Sequence, residues 1–456
     1  MKVNGTNRTN GLNASDSGGA VLVVLCILIV VSVLLFGAVD SGTLVVQAVL
    51  LAVALAIWLL KSLPRGQVPL NPDIIQLPLI ALAVWGLIQL LPIGALDAPN
   101  GLVNMPVSAT LSLDPYATRF FLMRLLLLIV FFAAALTFLN NSNRQKAVVT
   151  VLIAFGALLA FYSILQRVED PTSIYGIRQP GQAIPFGTYV NRHHFAALME
   201  MILGMTLGVL FSGGLDRSKW PFGIVAAFVM AIAVILTGSR GGLIGMFSAI
   251  ACVAAVGYYV RNKSERSYVL PVAVFGAGLA FFVLTAGLVI FLGGTDPLLR
   301  STGVAVASSD FTTGRKDFWL AALKIFKDHP IAGVGFDAFG VAYSQYDTSA
   351  GQLRVEQAHN DYLQILADGG LIAFACVVGF IYLLVKKSLS KIKSGSRDFP
   401  RGAAIGAFAG CVAVLVHSAF DFPLRTPANA FVFLTLAAIG VLPVSARSKT
   451  QRKSAN

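Results

Sequence analysis

Charged residues are scarce in this chain of 456 residues, where Asp, Glu, Lys and Arg together make up 12%. Soluble domains carry about 25% charged residues, so the composition argues against a soluble protein. Hydrophobic residues make up 56% of the chain. They form apolar stretches of about 18 to 25 residues without alternation, which is the length of membrane-spanning helices and not the pattern of barrel strands. The sequence therefore predicts an all-α, polytopic membrane protein.

The chain also lacks the residue patterns that hold metals or nucleotides. Its four cysteines, Cys26, Cys252, Cys376 and Cys411, all lie in apolar stretches, so we expect packing residues and no disulfide. No His/Cys spacing is typical of a zinc site. No P-loop is present, which argues against an ATP-driven pump. We therefore expect no metal and no cofactor.

Twelve apolar stretches are long enough to be transmembrane helices. With the N-terminus in the cytoplasm, the segments on the cytoplasmic side hold more Lys and Arg than the external segments, as the positive-inside rule requires. The net charge of +13 is then an insertion signal, so we expect no nucleic-acid partner. The predicted spans cover 20–39, 43–60, 74–93, 117–138, 147–166, 193–212, 221–237, 242–260, 268–292, 370–385, 402–420 and 428–444.

One long polar interruption divides the chain and sets its predicted organisation. It lies on the external side in this topology, together with the loop 167–192 and the turn 238–242. The predicted parts are a disordered cytoplasmic tail (1–19), a membrane domain with spans 1–9 (20–293), an external catalytic loop (294–369), spans 10–12 (370–444) and a basic cytoplasmic tail (445–456).

Two helices are predicted inside the long loop. Between Arg315 and Asp328 the apolar residues share one helical face, and Pro330 ends this helix. A second helix is expected to start near Glu356 and to carry His359. A helix just outside the membrane is a more rigid platform for a catalytic group than a flexible loop.

Arginines on the external side are candidate phosphate ligands, because a guanidinium group can bind two phosphate oxygens at once. Arg178 and Arg192 lie in the loop 167–192, and Arg315 lies in the long loop. Arg240 stands in a polar break between two apolar stretches, where neighbouring glycines would let a phosphate approach the next helix N-terminus. The alternative for Arg240 is a short surface turn.

Arg124 lies more than one turn inside the fourth predicted span. Intramembrane arginines usually face a partner or a cavity. A structural role and the binding of a lipid-borne phosphate are both open for this residue, which is the only clearly deep charge that the sequence reading identifies.

His359 is the best-placed candidate for a general base. Its partner carboxylate could be Glu356 or Asp361, and the sequence does not choose between them. His194, at the external mouth of the sixth span, is a candidate substrate contact. His417, near the outer end of the eleventh span, is expected to form a hydrogen bond within the helix bundle.

Several stretches resemble motifs of the O-antigen ligase/polymerase superfamily, the Wzy-type bacterial membrane glycosyltransferases. They are Ser-Arg-Gly-Gly at 239–242, Gly314-Arg315 with Trp319, His329-Pro330 and Gly-Val-Gly at 333–335, and His359-Asn360 followed by Gly370. The loop 186–195 resembles an Asn-x-His-Phe-type loop of exopolysaccharide polymerases. Ala373 stands where ligases often have Gly, Thr or Tyr, which departs from the ligase pattern.

The resemblance implies a GT-C-like fold of about twelve transmembrane helices with a large, partly helical periplasmic loop. It implies a metal-independent, inverting transfer at the bacterial inner membrane from an undecaprenyl-pyrophosphate-linked oligosaccharide. The acceptor could be a glycan, lipid A–core or a protein hydroxyl. His359 matches the family's catalytic histidine, Arg240 and Arg315 match its essential loop arginines, and Asp421 resembles an acidic position near the next-to-last span.

A twelve-span transporter or flippase of polysaccharide or lipid-linked oligosaccharide is the alternative. Such a protein would carry ionisable residues at mid-membrane and a repeated half. In this sequence most polar residues are external and no repeat is evident, which favours the enzyme.

Overall fold

The computed structural model describes residues 13–93, 110–181, 183–211, 216–260, 315–347, 355–394 and 399–443. Within these ranges the secondary structure is helical, without a β-strand, which confirms the all-α prediction there. The α-helices are α1 Asn13–Leu34, α2 Ser41–Ser62, α3 Leu77–Gln89, α4 Pro115–Phe138, α5 Ser142–Glu169, α6 Arg192–Phe211, α7 Trp220–Leu236, α8 Arg240–Val260, α9 Arg315–Asp328, α10 Phe339–Tyr343, α11 Asp361–Ser394, α12 Phe399–His417 and α13 Pro427–Val441.

Seven of these helices, α2, α4, α5, α6, α8, α11 and α12, are long and apolar enough to cross a membrane. Four shorter apolar segments, Gly18–Leu34, Ile74–Gln89, Trp220–Leu236 and Pro427–Val441, coincide with further predicted spans. The protein is therefore a multi-pass membrane protein. The predicted span 268–292 lies outside the described residues, so the count of twelve stays a prediction.

The centre of the bundle is formed by α13, which is buried along its whole length, and by α6 and α12. The α6 and α12 backbones touch through glycines. A Cβ atom added to Gly204 would lie 2.7 Å from the backbone nitrogen of Gly410. Small residues permit such close crossings in membranes, where van der Waals packing replaces the hydrophobic effect between helices. These central helices form a rigid base for the residues at their ends.

The long loop docks onto the end of α3 through buried polar contacts. Gln89 donates from Nε2 to the carbonyls of Ala332 (2.8 Å) and Asp368 (2.9 Å), and its Oε1 accepts from the backbone nitrogen of Phe336 (3.1 Å). Trp85 Nε1 donates to the carbonyl of Gly369 (3.0 Å). The described part of the loop is thus fixed against the membrane domain.

The predicted loop helix around His359 is wrong in where it begins. The helix, α11, begins at Asp361, and His359 precedes it with a φ of 51°. Asn360 explains the boundary, because its Oδ1 accepts hydrogen bonds from the backbone nitrogens of Tyr362 (3.0 Å) and Leu363 (3.1 Å), as an N-cap residue does. Gly370 kinks α11, with a φ of 64°.

The other loop helix, α9, has the predicted bounds. Residues 13–19 belong to α1, although the sequence predicts a disordered tail there. Residues 1–12, 294–314, 348–354 and 444–456, which complete the predicted tails and loop, lie outside the described residues.

Candidate active site

A cavity of about 930 Å³ lies where the long loop meets the helix ends; we call it the chamber. Its walls come from α4, the start of α6, α9, the segment before α11, and the turn between α12 and α13. Cationic and acidic side chains both line it. The ionisable lining residues are Arg124, Arg192, His193, His194, Arg315, Asp337, Glu356, His359 and Arg425.

His359 is held by a buried carboxylate. Its Nδ1 atom lies 3.2 Å from Oδ1 of Asp421, and Asp421 is 1% exposed whereas the His359 side chain is 29% exposed. Arg315 donates from Nη2 to the other carboxylate oxygen at 3.1 Å and from Nη1 to the carbonyl of Phe420. Asp421 therefore links the candidate base to the candidate arginine, and Nε2 is the ring nitrogen of His359 that Asp421 does not engage.

The charge state of Asp421 follows from these contacts. Burial would raise the pKa of its carboxyl group, but the hydrogen bond with His359 and the charge of Arg315 hold that pKa well below its usual value. Asp421 is therefore an ionised carboxylate behind the imidazole, which favours the ring form that carries its proton on Nδ1.

The carbonyl groups of the turn 418–421 accept hydrogen bonds from the two residues that follow His359. The backbone nitrogen of Asp361 donates to the carbonyls of Ser418 (2.9 Å) and Asp421 (3.2 Å), and Nδ2 of Asn360 donates to the carbonyl of Ala419 (2.9 Å). The prediction that Glu356 or Asp361 is the partner carboxylate of His359 is wrong, because that partner is Asp421. Asp361 instead accepts a hydrogen bond from Oγ of Ser418 at 2.9 Å.

Arg425 lies at the centre of a carboxylate cluster that the sequence reading missed. It donates from Nη2 to Asp368 at 2.7 Å and from Nη1 to Asp337, and its Nε lies 3.9 Å from Asp361. Burial would lower the pKa of Arg425, but Asp337 and Asp368 raise it above its ordinary value. Its charge is thus compensated within the protein. Only the fold brings these distant carboxylates together.

Three further predicted site residues line the chamber. Arg192 is the first residue of α6, and Arg124 donates from Nη2 to the carbonyl of Val39 at 3.3 Å. His194 is buried, with Nδ1 2.7 Å from Oγ1 of Thr426 and Nε2 3.9 Å from Oδ1 of Asp421. The structure thus brings His359, Arg315, Asp421, Arg124, Arg192 and His194 together at one end of the bundle.

Arg240 and Arg178 are not among the described residues that line the chamber. Arg178 donates from Nη2 to Asp40 at 2.9 Å and stacks on the ring of Phe36. Arg240 begins α8 and follows Ser239, whose Oγ lies 2.8 Å from Nδ1 of His193 in the chamber wall. Arg240 is therefore next to the wall, whereas Arg178 is bound to the corner between α1 and α2.

Glu200 is a further deep ionisable residue, so the prediction that Arg124 is the only one is wrong. It is fully buried in α6, and its Oε1 lies 3.2 Å from Nδ1 of His417. The expectation that His417 forms a hydrogen bond within the bundle is confirmed. The available signal was a glutamate in the middle of the predicted sixth span.

A second, apolar cavity of about 210 Å³ lies between α3, α4, α11 and α13. It shares Phe121, Leu125 and Leu128 of α4 with the chamber, and Leu424 and Arg425 close its polar end. One face of α4 thus separates a polar space from a hydrocarbon-lined one. Within the described ranges, no group of three or more His, Cys, Asp or Glu side chains is arranged for a metal ion.

The chain matches a known protein family over a range that supplies some of the residues of this site. Residues 225–378 match the O-antigen ligase family, and this range contains Arg240, Arg315 and His359. This match confirms the resemblance drawn from the motifs of that range.

A curated relative extends the similarity beyond that range. The chain is 21% identical over 318 residues to the exopolysaccharide production protein ExoQ of Rhizobium meliloti (strain 1021). The match covers 65% of this chain and 66% of the relative, slightly less than two thirds of its length.

Proposed function

We propose that the protein is an inverting membrane glycosyltransferase that assembles surface polysaccharide. It moves a glycan from undecaprenyl pyrophosphate to an acceptor hydroxyl, at a chamber on the periplasmic side of the bacterial inner membrane. The observation that carries the proposal is His359, held at Nδ1 by buried Asp421 and lining a chamber with several arginines. The match to the O-antigen ligase family and the similarity to an exopolysaccharide production protein support it.

His359 acts as the general base. Its Nε2 accepts the proton of the acceptor hydroxyl while that oxygen attacks the anomeric carbon of the donor sugar. The bond between the anomeric carbon and the pyrophosphate oxygen breaks, and the configuration inverts. Asp421 keeps the proton of the neutral ring on Nδ1 and stabilises the imidazolium that forms. General-base catalysis contributes about 10² to 10⁴ in rate.

Arginines of the chamber stabilise the leaving pyrophosphate, since preorganised positive charge at the leaving group lowers the barrier. Arg124 and Arg192 supply this charge from the wall. Arg315 is shared between the leaving group and Asp421, to which it is already bound at 3.1 Å. Arg240 contacts the distal phosphate from the start of α8. Arg178 contributes indirectly, by fixing the loop 167–192 to Asp40.

The apolar cavity takes the first part of the donor's hydrocarbon chain. Its lining is almost entirely apolar, and its polar end reaches the chamber at Arg425. A lipid pyrophosphate has the same polarity, with charge at one end and hydrocarbon at the other. The chain enters the cavity from the bilayer and not from water, so van der Waals packing against the lining, rather than the hydrophobic effect, holds it there.

A lipid-linked glycan is the acceptor that we favour, so the reaction is polymerisation. The similarity to an exopolysaccharide production protein supports this choice, as does the loop 186–195. The experiment offers the purified protein a labelled lipid-linked oligosaccharide with a second lipid-linked glycan, lipid A–core or a hydroxyl-bearing peptide. Longer lipid-linked glycan is the expected product. Transfer to lipid A–core or peptide instead would make it a ligase, and lipid translocation without transfer would contradict the enzyme.

A further inference from the structure

The turn 418–421 is the structural support of the proposed catalytic groups. Its carbonyl groups accept hydrogen bonds from Asn360 and Asp361, and the side chain of its Asp421 contacts His359 and Arg315. Any shift of this turn would move both groups together. What fixes the turn therefore fixes the geometry of the site.

His417 is the last residue of α12 and the anchor of this turn. Its carbonyl accepts hydrogen bonds from the backbone nitrogens of Phe420 (2.8 Å) and Asp421 (3.1 Å). Its side chain contacts a different helix, because Nδ1 lies 3.2 Å from Oε1 of Glu200 in α6. Through one residue, a buried contact inside the membrane is connected to the carboxylate beneath His359.

A third helix packs directly on this pair. A Cβ atom added to Gly241 would lie 2.5 Å from Cδ2 of His417, and one added to Gly245 would lie 2.6 Å from Cδ of Glu200. Both glycines belong to α8, which begins with Arg240. The pair thus lies where α6, α8 and α12 meet, and these helices lead to His194, Arg240 and the turn with Asp421.

Stability alone is a poor reason for a glutamate and a histidine at this position. Burying a polar pair costs desolvation energy, and replacing such a pair by well-packed apolar residues is often neutral or stabilising. Apolar packing cannot supply a directional hydrogen bond that fixes the rotation of the C-terminal end of α12 relative to α6. Because the pair is buried and lies next to the turn, this directional role fits its position.

We propose that Glu200 and His417 are positioning residues that orient the turn 418–421 and hence His359. The proposal rests on the proposed transferase function for its kinetic consequence, but the orientation of His359 can be measured without turnover. It requires the hydrogen bond between the two side chains, and neither residue is among the described residues that line the chamber.

Two substitutions of Glu200 separate a hydrogen bond from mere packing. Glu200→Gln keeps an oxygen that can accept from Nδ1 of His417, whereas Glu200→Leu does not. A small misplacement of reacting groups costs up to about 10²-fold in rate. We therefore expect Glu200→Leu to lose about tenfold to 10²-fold in kcat with little change in the donor KM, and Glu200→Gln to recover most of it.

Thr206→Val is the matched control, because Thr206 is buried in the same helix and bonds only within it, to the carbonyl of Ile202 at 2.8 Å. It should keep the wild-type kcat. Wild-type kcat in Glu200→Leu would overturn the proposal. So would a Glu200→Gln variant as impaired as Glu200→Leu, because an acceptor oxygen would then not suffice.

The reactivity of His359 gives a readout that does not depend on activity. Diethyl pyrocarbonate modifies exposed imidazoles, and mass spectrometry can follow His359 against exposed His329 in the same molecule. Release of His359 from Asp421 should raise the ratio of the two rates several-fold in Glu200→Leu, and the ratio should stay at the wild-type value in Thr206→Val. An unchanged ratio in Glu200→Leu would overturn the positioning role even if the protein transferred no glycan.

A second variant covers the case in which Glu200→Leu does not fold. Gly245→Ala leaves the pair's residues intact but places a methyl group against the Glu200 carboxylate. Gly257→Ala, in the same helix, has no atom within 4 Å of the added Cβ and is its control. The His359 to His329 ratio should rise in Gly245→Ala only. Equal ratios in the two variants would contradict the proposal.

Discussion

Nδ1 of His359 lies 3.2 Å from Oδ1 of Asp421, although the two residues are 62 positions apart in the chain. The contact crosses from the long loop to the turn after α12. The ring of Phe422 packs edge-on against the imidazole, with 4.9 Å between the ring centroids. Asp421 and Phe422 therefore hold His359 from two sides. Separate substitutions can test the carboxylate, the imidazole and the arginines.

Asp421→Asn should remove the electrostatic support of His359 without changing the shape of the side chain. The amide cannot stabilise an imidazolium, so we expect kcat to fall by about 10² to 10⁴. The assay is transfer of a labelled lipid-linked glycan by purified protein. Asp170→Asn, at a half-buried carboxylate outside the chamber with bonds only to its own turn, is the control. Equal activity in both variants would exclude Asp421 from the site.

The pH dependence of transfer should show an acid limb caused by the imidazole. A neutral ring is the active form, so kcat/KM should fall as the pH is lowered. The depressed pKa of Asp421 means that this carboxylate stays ionised through that range. His359→Gln keeps a hydrogen-bonding side chain but cannot take the proton, so its small residual activity should have no acid limb.

Stability should not follow the same curve. A carboxyl group whose pKa is depressed in the fold stabilises it above the unfolded value of about 3.9 and loses that contribution as the pH falls towards the folded pKa. Asp421 should therefore still stabilise the fold, and so support the thermal midpoint of unfolding, over the pH range in which activity declines. Unfolding that tracks the loss of activity would mean that the acid limb reports the fold and not the base.

Arg124 and Arg192 should contribute through the geometry of the guanidinium group and not through charge alone. Lysine keeps the charge but replaces a two-pronged donor by a point charge. We expect Arg124→Lys and Arg192→Lys each to lower kcat/KM for the donor about tenfold, the equivalent of about 1.4 kcal/mol. Arg119→Lys, at an exposed position of α4 outside the chamber, is the control. Losses confined to Arg119→Lys would contradict the assignment.

Arg240→Lys tests whether the anion site reaches the start of α8. Arg240 follows Ser239, which contacts His193 of the chamber wall, and the proposed site of the distal phosphate lies between Arg240 and that wall. A loss in donor kcat/KM comparable to that of Arg192→Lys is expected. Wild-type turnover in Arg240→Lys would confine the pyrophosphate to Arg124, Arg192 and Arg315.

Local sequence patterns predicted the helices well because apolar periodicity and capping are local properties. Arg315 to Asp328 became a helix with those bounds. The same reasoning placed His359 on a helix and failed, because it overlooked Asn360 as an N-cap. The partners of His359 and Arg425 could not be predicted, since they depend on how α11, α12 and the loop pack. Glu200 could have been noticed from its position in an apolar span.

The apolar cavity beside α4 should bind hydrocarbon, and filling it should affect only donors that have a long chain. Leu82 lines this cavity and is 6% exposed, whereas Val84 in the same helix is 49% exposed. Leu82→Trp should lower kcat/KM for a full-length polyprenyl donor about tenfold or more, with little effect on a donor whose short chain does not reach the cavity. Val84→Trp should affect neither donor.

The comparison of two donors separates lost binding from lost folding. Overpacking a core commonly costs about 1 to 3 kcal/mol of stability, and a destabilised Leu82→Trp enzyme would lose activity towards both donors. Only occlusion of the site for the hydrocarbon chain lowers kcat/KM for the full-length donor and leaves kcat/KM for the short-chain donor unchanged. Equal kcat/KM of Leu82→Trp and wild type for the full-length donor would place the hydrocarbon chain elsewhere. The hydrocarbon chain would then be expected in the chamber, next to Leu128 and Phe431. Phe431→Trp would be the next substitution to compare on the two donors.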